Sequence, residues 1–528
     1  MYKLFVLLLL FNIFSCEKET IKKEVIPSKA EPILIIQPEG RAVSVDSVSL
    51  IPFESKTLMD FYQSTGYKSV WQSKKNRKII VEQLFNSWEE GLNPDDYNVN
   101  KLRKYELKIS SLNDEKIANY DVLLTYNLQK YISHLANGRL NPRNLYMNWD
   151  LKENEIDINE TMANLLKNDS LAEKIEQLKP NHVVYKRLKK ALQIINTYPK
   201  DVFTRIEITN KIILNDTNSS LIDIKKRLIY WKEMKPKDSL TSIYDDETAE
   251  SIKKFQIRHG LAADGVIGKG TIESLNFSKR QRKVQIIANL ERWKWFPREM
   301  GNEYLIINIP DYKLTLVNGK DTIRTHKIIV GRAKRKTPVL SSKLSSVVFN
   351  PTWTVPPTIL KEDVIPAVLK NRNYLAQTNI KLYDSNGNLV PASRWRLSNA
   401  KSFRYVQSPG TFNSLGMVKL QFPNRFTIYL HDTNHRDFFE KQVRSLSSGC
   451  VRVDNPLELT EYILDDATNW NLEKITETLQ SEKTKKIIIK KEVYIHILYW
   501  TAWSEKNKLI FRDDIYNLDA YLYDKLGK

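Results

Sequence analysis

At Tyr304 the hydrophobic pattern of this chain changes period. Upstream, apolar residues recur at every third or fourth position, as in Val122, Leu123, Tyr126, Leu128, Ile132 and Leu135, the spacing of one helix face. Downstream they form short β runs: Tyr304 to Ile309, Leu314 to Val317, and Thr322 to Val330, the last two joined at Asn318-Gly319 by a hairpin turn. Helices first and strands afterwards describe a multidomain α+β chain, since elements of one kind pack with their own kind around separate cores.

The helical part divides in two. Residues 55–215 read as a helical scaffold domain, with Asn93-Pro94-Asp95-Asp96 and Asn137-Gly138-Arg139-Leu140-Asn141-Pro142 as turn punctuation. Residues 219–276 read as a small three-helix module. Leu221, Ile224 and Leu228 make one stripe, Ala249, Ile252 and Phe255 a second, and Thr271-Ile272-Leu275 begin a third helix after the turn at Asp264-Gly265. Residues 300–490 form a mainly β domain, in which Ser346–Phe349 and Trp353–Pro356 continue the sheet. From about 358 to 405 the pattern breaks, as expected of an inserted lid. The strand signal resumes at Thr427–Leu430, Asn455-Pro456 opens a helix, and 491–528 form a C-terminal extension packing on the β domain.

The N-terminus constrains location. Lys3 is followed by an apolar run, Leu4 to Phe11, that is too short for a bilayer span and suits an export signal over residues 1–15. Residues 16–54 are polar and proline-spaced, a tether. The net charge of +20 favours anionic partners, or describes a solvated lysine-rich surface. Export argues against nucleic acid as that partner.

Cys450 is one of two cysteines, and the other is Cys16, at the end of the export segment. A lone thiol kept in an oxidising compartment usually serves chemistry. Cys450 sits in Ser447-Ser448-Gly449-Cys450-Val451-Arg452-Val453, and His431-Asp432-Thr433 lies upstream at the end of a strand. Only a thiolate attacks carbonyls well, so an imidazole must take the proton and return it to a leaving group. A third group must orient that imidazole. Asp432 stands beside His431 and offers either its carbonyl or its carboxylate. Gly449 leaves the approach open, and main-chain N–H groups there suit a developing oxyanion. Arg452 is placed to hold a carboxylate. No metal is expected: His431-Asp432-Thr433-Asn434-His435 mimics a zinc-protease motif, but that motif needs both histidines on one helix face, and here the first closes a strand.

Three resemblances sharpen these expectations. Ile13-Phe14-Ser15-Cys16 resembles a bacterial lipobox, which implies cleavage before Cys16, lipidation of that residue and attachment to a membrane. Phe255-Gln256, Gly260-Leu261, Asp264-Gly265, Gly268 and Thr271 stand as in the type 1 peptidoglycan-binding domain. Pro409-Gly410, Asn413, Leu415-Gly416, Lys419-Leu420, Phe422-Pro423-Asn424, Ile428 to Thr433, Arg444 and the Ser447–Val453 block resemble the L,D-transpeptidases with a YkuD-type catalytic domain. Glu291-Arg292-Trp293-Lys294-Trp295, Asn350 to Pro356 and Phe511 to Tyr516 fit their large, scaffold-bearing periplasmic subfamily.

That resemblance implies acyl transfer on peptidoglycan without a cofactor. Cys450 attacks the donor stem between residues three and four, D-alanine leaves, and a neighbouring stem's amine takes the acyl group to give a 3→3 crosslink. The lid grips the stem, with Trp353 and Tyr429 as apolar walls. Ser447 and Ser448 fall in the substrate-binding part of the motif. Ser448 stands where many members have histidine and is not counted as catalytic. Water as acceptor makes the same site an L,D-carboxypeptidase. A non-catalytic lipoprotein that tethers membrane to wall is the structural alternative. The oligomeric state is open.

Overall fold

The computed structural model describes residues 42–167 and 170–527. The export segment 1–15, Cys16 and the tether as far as residue 41 lie outside the described residues. Residues 42–54 do not behave as a tether. Val43, Val45 and Leu50 are buried in the core of the helical domain.

The scaffold core is built by α1 (Lys56–Ser64), α2 (Lys74–Phe85), α3 (Val99–Lys108) and the long α4 (Asp114–Asn137). Ser55, Ser73 and Asn113 cap the starts of α1, α2 and α4 by accepting main-chain N–H groups from the first turn. Inside, the Asp121 carboxylate accepts from Val70 N–H at 2.9 Å, Trp71 N–H at 2.7 Å and the Tyr62 phenol at 2.6 Å. Burial still wins over those bonds and pushes its carboxyl up to about 6. Then follow α5 (Pro142–Leu145), β1 (Trp149–Asp150), α6 (Ile158–Leu166), α7 (Leu171–Gln177) and α8 (Val183–Thr197). The expected scaffold limit at 215 is too late. The α8 residues Leu188, Leu192 and Ile195 belong to the second, larger core, against which the helix packs. An amphipathic stripe shows that a helix is covered, not by what.

The three-helix module is α9 (Ser220–Tyr230), α10 (Asp246–Arg258) and α11 (Lys269–Leu275). Gln256 ties its turn together: Oε1 accepts from Gly265 N–H at 2.9 Å while Nε2 donates to the Val266 carbonyl at 3.0 Å. Next comes α12 (Lys279–Lys294), a buried spine that joins the parts. From it Lys294 Nζ donates to the Glu90 carbonyl at 2.9 Å, Glu291 accepts from Leu140 N–H at 3.1 Å, and Arg292 pairs with Asp519 at 2.9 Å.

The main sheet draws on β2 (Glu303–Asn308), β3 (Lys313–Asn318), β4 (Asp321–Gly331), β5 (Val339–Lys343) and β6 (Ser346–Phe349). The β3–β4 turn is Gly319-Lys320, one residue later than expected, with Asn318 opposite Asp321. Trp353–Thr354 (β7) does not continue this sheet. It pairs with the inserted segment, whose elements are α13 (Pro357–Ile359), the wide turn Leu360–Val364, α14 (Ile365–Lys370), α15 (Tyr374–Gln377), β8 (Ile380–Tyr383), β9 (Leu389–Val390) and β10 (Arg404–Gln407). The insertion closes a core of its own around Val364, Val368, Leu382, Trp395 and Tyr405, and β7 is its edge strand.

The chain returns to the main sheet as β11 (Val418–Gln421), β12 (Leu430–His431), β13 (Ser445–Ser447) and β14 (Val451–Val453), continues through α16 (Pro456–Leu464) and α17 (Leu472–Gln480) to β15 (Lys485–Ile488), then β16 (Tyr494–Leu498), β17 (Ala502–Glu505), β18 (Lys508–Phe511) and α18 (Asp519–Leu526). The order across the sheet is β1-β5-β16-β2-β3-β4-β14-β12-β11-β6-β15, with β13 also on β4. The C-terminal segment is therefore no extension laid on a finished domain. β16 fills the sheet between β5 and β2, parallel to β2.

Alternation sorts the two faces of this sheet. One face, with Leu305, Ile307, Leu314, Leu316, Ile328, Leu420, Leu430 and Val451, is completely buried. Following the register, the opposite face carries Asn308 and Lys313 at one end and Arg452, His431 and Lys419 at the other.

Candidate active site

Cys450 immediately precedes β14. β12 and β14 are parallel, with Leu430 opposite Val451 and His431 opposite Arg452. Leu430 and Val451 point into the core, so Tyr429, His431, Cys450 and Arg452 all emerge on the other face. On β11, Lys419 lies opposite His431 and joins the row. These five residues, with Trp353, line a cleft of about 1310 Å³ between the lid and the sheet. The local signal at Thr427–Leu430 overstates the strand: Thr427 has a left-handed backbone with φ of 56°, and only Leu430–His431 pair.

The turn that carries Cys450 is held from beneath. Gly449 has φ of 119°, a conformation that favours glycine. Its carbonyl accepts from Thr337 Oγ at 2.8 Å. The Thr337 N–H donates to the Tyr516 phenol at 3.1 Å, and that phenol donates to the Gly331 carbonyl at 2.6 Å. Ser447 Oγ accepts the Gly449 N–H at 3.1 Å and donates to the Cys450 carbonyl at 2.6 Å. Ser447 is thus a brace of the turn, and the Gly449 N–H expected for an oxyanion is already engaged. Ser448 Oγ meets Arg335 at 2.8 Å, on the lid side.

His431 is oriented by main chain. Its Nδ1 lies 2.5 Å from the Asp432 carbonyl. A carbonyl only accepts, so Nδ1 carries the hydrogen and Nε2 keeps the lone pair. Of the two roles open to Asp432, the carbonyl has this one. Its carboxylate instead accepts Met417 N–H at 2.9 Å and pairs with Arg436 at 3.0 Å. Burial, and then the Arg452 charge, push the His431 imidazolium down to about 3, so the ring is neutral at neutral pH. His435 shares no helix turn with His431; its ring stacks on Phe438 at 5.0 Å.

No hydrogen bond joins His431 to Cys450. Tyr429 interacts with the thiol through its main-chain N–H and its phenol. Trp353 in turn approaches that phenol with its indole N–H, so the two expected apolar walls are linked by polar groups. Burial raises the thiol above its usual value, against Tyr429, Lys419 and Arg452, which all favour the thiolate. Cys450 is free of any disulfide.

Arg452 is largely buried and meets no carboxylate. One nitrogen donates to Thr433 Oγ at 3.3 Å, and its Nε has no partner. Lys419 has no carboxylate partner either; its Nζ sits 3.8 Å from the Tyr429 ring centre. The residue reading assigned no role to Lys419 or Thr337. Lys419 was detectable as the cation in an alternating strand, whereas Thr337 and Arg335 carry no local signal.

One thiol, one imidazole oriented by main chain and two cations without carboxylate partners thus share one face of the cleft. Residues 302–489 match the model of the L,D-transpeptidase catalytic domain, residues 217–275 that described as "Putative peptidoglycan binding domain", and residues 56–192 the scaffold domain. Over residues 302–489 the chain is thus similar to the L,D-transpeptidase catalytic domain, with the other two matched regions before it. A protein of Haemophilus influenzae named "Putative L,D-transpeptidase" is 36% identical over 270 residues, which span 50% of this chain and 54% of that one. This chain thus spans about half the length of the curated relative it matches. Among solved structures, an L,D-transpeptidase (residues 123–326) from Xylanimonas cellulosilytica is 13% identical, covering 55% of this chain and 99% of that one with a TM-score of 0.17. One from Stackebrandtia nassauensis is 12% identical, covering 56% and 96%, with a TM-score of 0.20.

Proposed function

We propose that this protein is a peptidoglycan L,D-transpeptidase forming 3→3 crosslinks through a thioester on Cys450. The reading rests on one observation above all: a lone thiol, a neutral oriented imidazole and the unpaired Arg452 guanidinium share one face of one cleft. His431 Nε2 takes the thiol proton as sulfur attacks the carbonyl between stem residues three and four. It then gives the proton to the departing D-alanine amine. The acceptor's amine attacks the thioester, forms the new amide and restores the thiol. Arg452 and Lys419 offer charge to a stem carboxylate, and the Cys450 N–H is the remaining main-chain donor for the oxyanion. A cleft of about 1310 Å³ has room for a peptide stem beside the thiol.

The polymer places the protein in the cell envelope, and Cys16 is the proposed lipid anchor. Among the described residues no helix is long and apolar enough to cross a membrane. Purified muropeptides and a carbapenem test the reading. The wild type yields crosslinked dimer and a carbapenem adduct mapped to Cys450 by mass spectrometry, and Cys450→Ala yields neither. Trimmed tripeptide without dimer establishes the carboxypeptidase; no turnover and no adduct establishes the tether. Loss of lipid label in Cys16→Ala tests the anchor.

A further inference from the structure

A second cleft, of about 760 Å³, opens on the same outer face of the sheet and shares no lining residue with the first. Its floor is β2 and β3, where Tyr304, Ile306 and Asn308 lie opposite Val317, Thr315 and Lys313. The start of α8 forms one wall, and Trp500 with Trp503 another.

Charge accumulates there without an answer. Lys186, Arg187, Lys313 and Lys320 line the cleft, and none of the four is in an ion pair among the described residues; Arg298, also in the lining, donates to the Leu135 and Ala136 carbonyls at 2.6 and 2.8 Å. Of the three carboxylates present, Asp311 is already paired with Arg512, leaving Glu299 and Glu505. The first turn of α8 holds no acidic residue, so Lys186 and Arg187 add to the positive end of the helix dipole. His182, the cap of α8, is held neutral by burial, its imidazolium pushed down to about 4.

A buried donor also waits in the floor. Asn308 is 3% exposed; its Oδ1 accepts from Trp500 N–H at 3.1 Å, while its Nδ2 has no partner. An unpaired buried amide costs free energy that a ligand acceptor recovers. Aromatic sides, a free amide donor and a cationic rim together suit a peptide carrying carboxylates.

We propose that this second cleft binds a carboxylate-bearing peptide, a stem of the same wall polymer on which the first cleft acts. It rests on the reading above only for the identity of the polymer, not for the cysteine chemistry. β4 alone separates the two sites in strand order.

Titration calorimetry on the full chain with Cys450→Ala tests this, using a free stem tripeptide as ligand. Two classes of site are expected. Lys313→Glu with Lys320→Glu weakens one of them about tenfold, the cost of lost charge-assisted contacts, and leaves turnover of soluble muropeptides in the Cys450 enzyme unchanged. Asn308→Asp keeps the acceptor for Trp500 N–H and reverses the free donor, so it weakens the same class. Both lysines are exposed, and an unchanged thermal midpoint shows that the fold is intact. A single class of site, or titrations identical in both variants, overturns the proposal. So does equal binding of the fully amidated tripeptide, or of stem-free glycan. If the wild type fails to crosslink while the second class persists, the cysteine reading falls and this one stands.

Discussion

Cys450 keeps its proton at neutral pH because burial outweighs the cations facing it, and His431 stays unprotonated because burial and those same cations both disfavour its charged form. The resting pair is therefore neutral, not a thiolate–imidazolium. The sign follows directly. The thiol's value is raised, so the thiolate fraction stays small through the usual thiol range and grows with pH. Alkylation of Cys450 by iodoacetamide is expected to accelerate about tenfold per pH unit up to roughly pH 9, with no plateau near neutrality. A plateau between about pH 5 and 7 would instead reveal a preformed ion pair. Gly416 is a second residue on which the site depends. Its φ is 61°, and an added Cβ would collide with the Asp432 carboxylate. Gly416→Ala should lower stability by about 1–3 kcal/mol and displace the carbonyl that orients His431. Chemical denaturation and turnover check the two effects separately. The grouping of Cys450, His431 and Arg452 at one cleft was legible in the sequence, since a lone thiol, an imidazole ending a strand and a nearby guanidinium stand in two short segments. The engagement of the Gly449 N–H by Ser447 was not, since a hydroxyl chooses among neighbours only once the turn has closed.

The inserted segment supplies one side of the cleft through Pro357, Thr358, Ile359 and Asp363. Its wide turn presents Glu362 and Asp363 to the loop after β4. Arg335 reaches Glu362 at 2.6 Å, Asp363 and Ser448 Oγ at 2.8 Å, so one guanidinium clasps the inserted segment to the turn before Cys450. Arg332 adds a longer contact to Asp363 at 3.3 Å. Glu362 is more than half exposed, which limits what its pair contributes. Arg335→Ala should cost about 1 kcal/mol of closure, seen as a rise in KM of about fivefold with kcat less affected. Equal losses in both would place Arg335 in the chemical step. The insertion was visible as a break in strand period. That it folds around its own core, taking β7 with it, was not, because Trp353–Thr354 has the same local pattern whichever sheet receives it.

At the scale of the molecule, the ends of the chain complete its middle. β16 supplies the strand between β5 and β2, and Tyr516 supports the loop beneath Gly449. The buried Arg292–Asp519 pair fastens α18 to the spine helix α12. Removing residues 491–528 should therefore abolish cooperative folding of the catalytic domain, not merely loosen it, as read by proteolysis and calorimetry. Asp519→Ala is a milder version. It strands the buried Arg292 and should cost about 3–5 kcal/mol in urea denaturation.

Composition, period and turn residues were written locally, and local rules suffice to read them: the α+β order, the three-helix module and the inserted segment follow from the amino-acid order alone. Which helix covers which core, where β7 and β16 pair, and which charges are left free were decided only in three dimensions. Those outcomes depend on partners far apart in the chain. Whether Arg452 or Lys313 meets a carboxylate, for instance, is a property of the packed whole and of no segment within it.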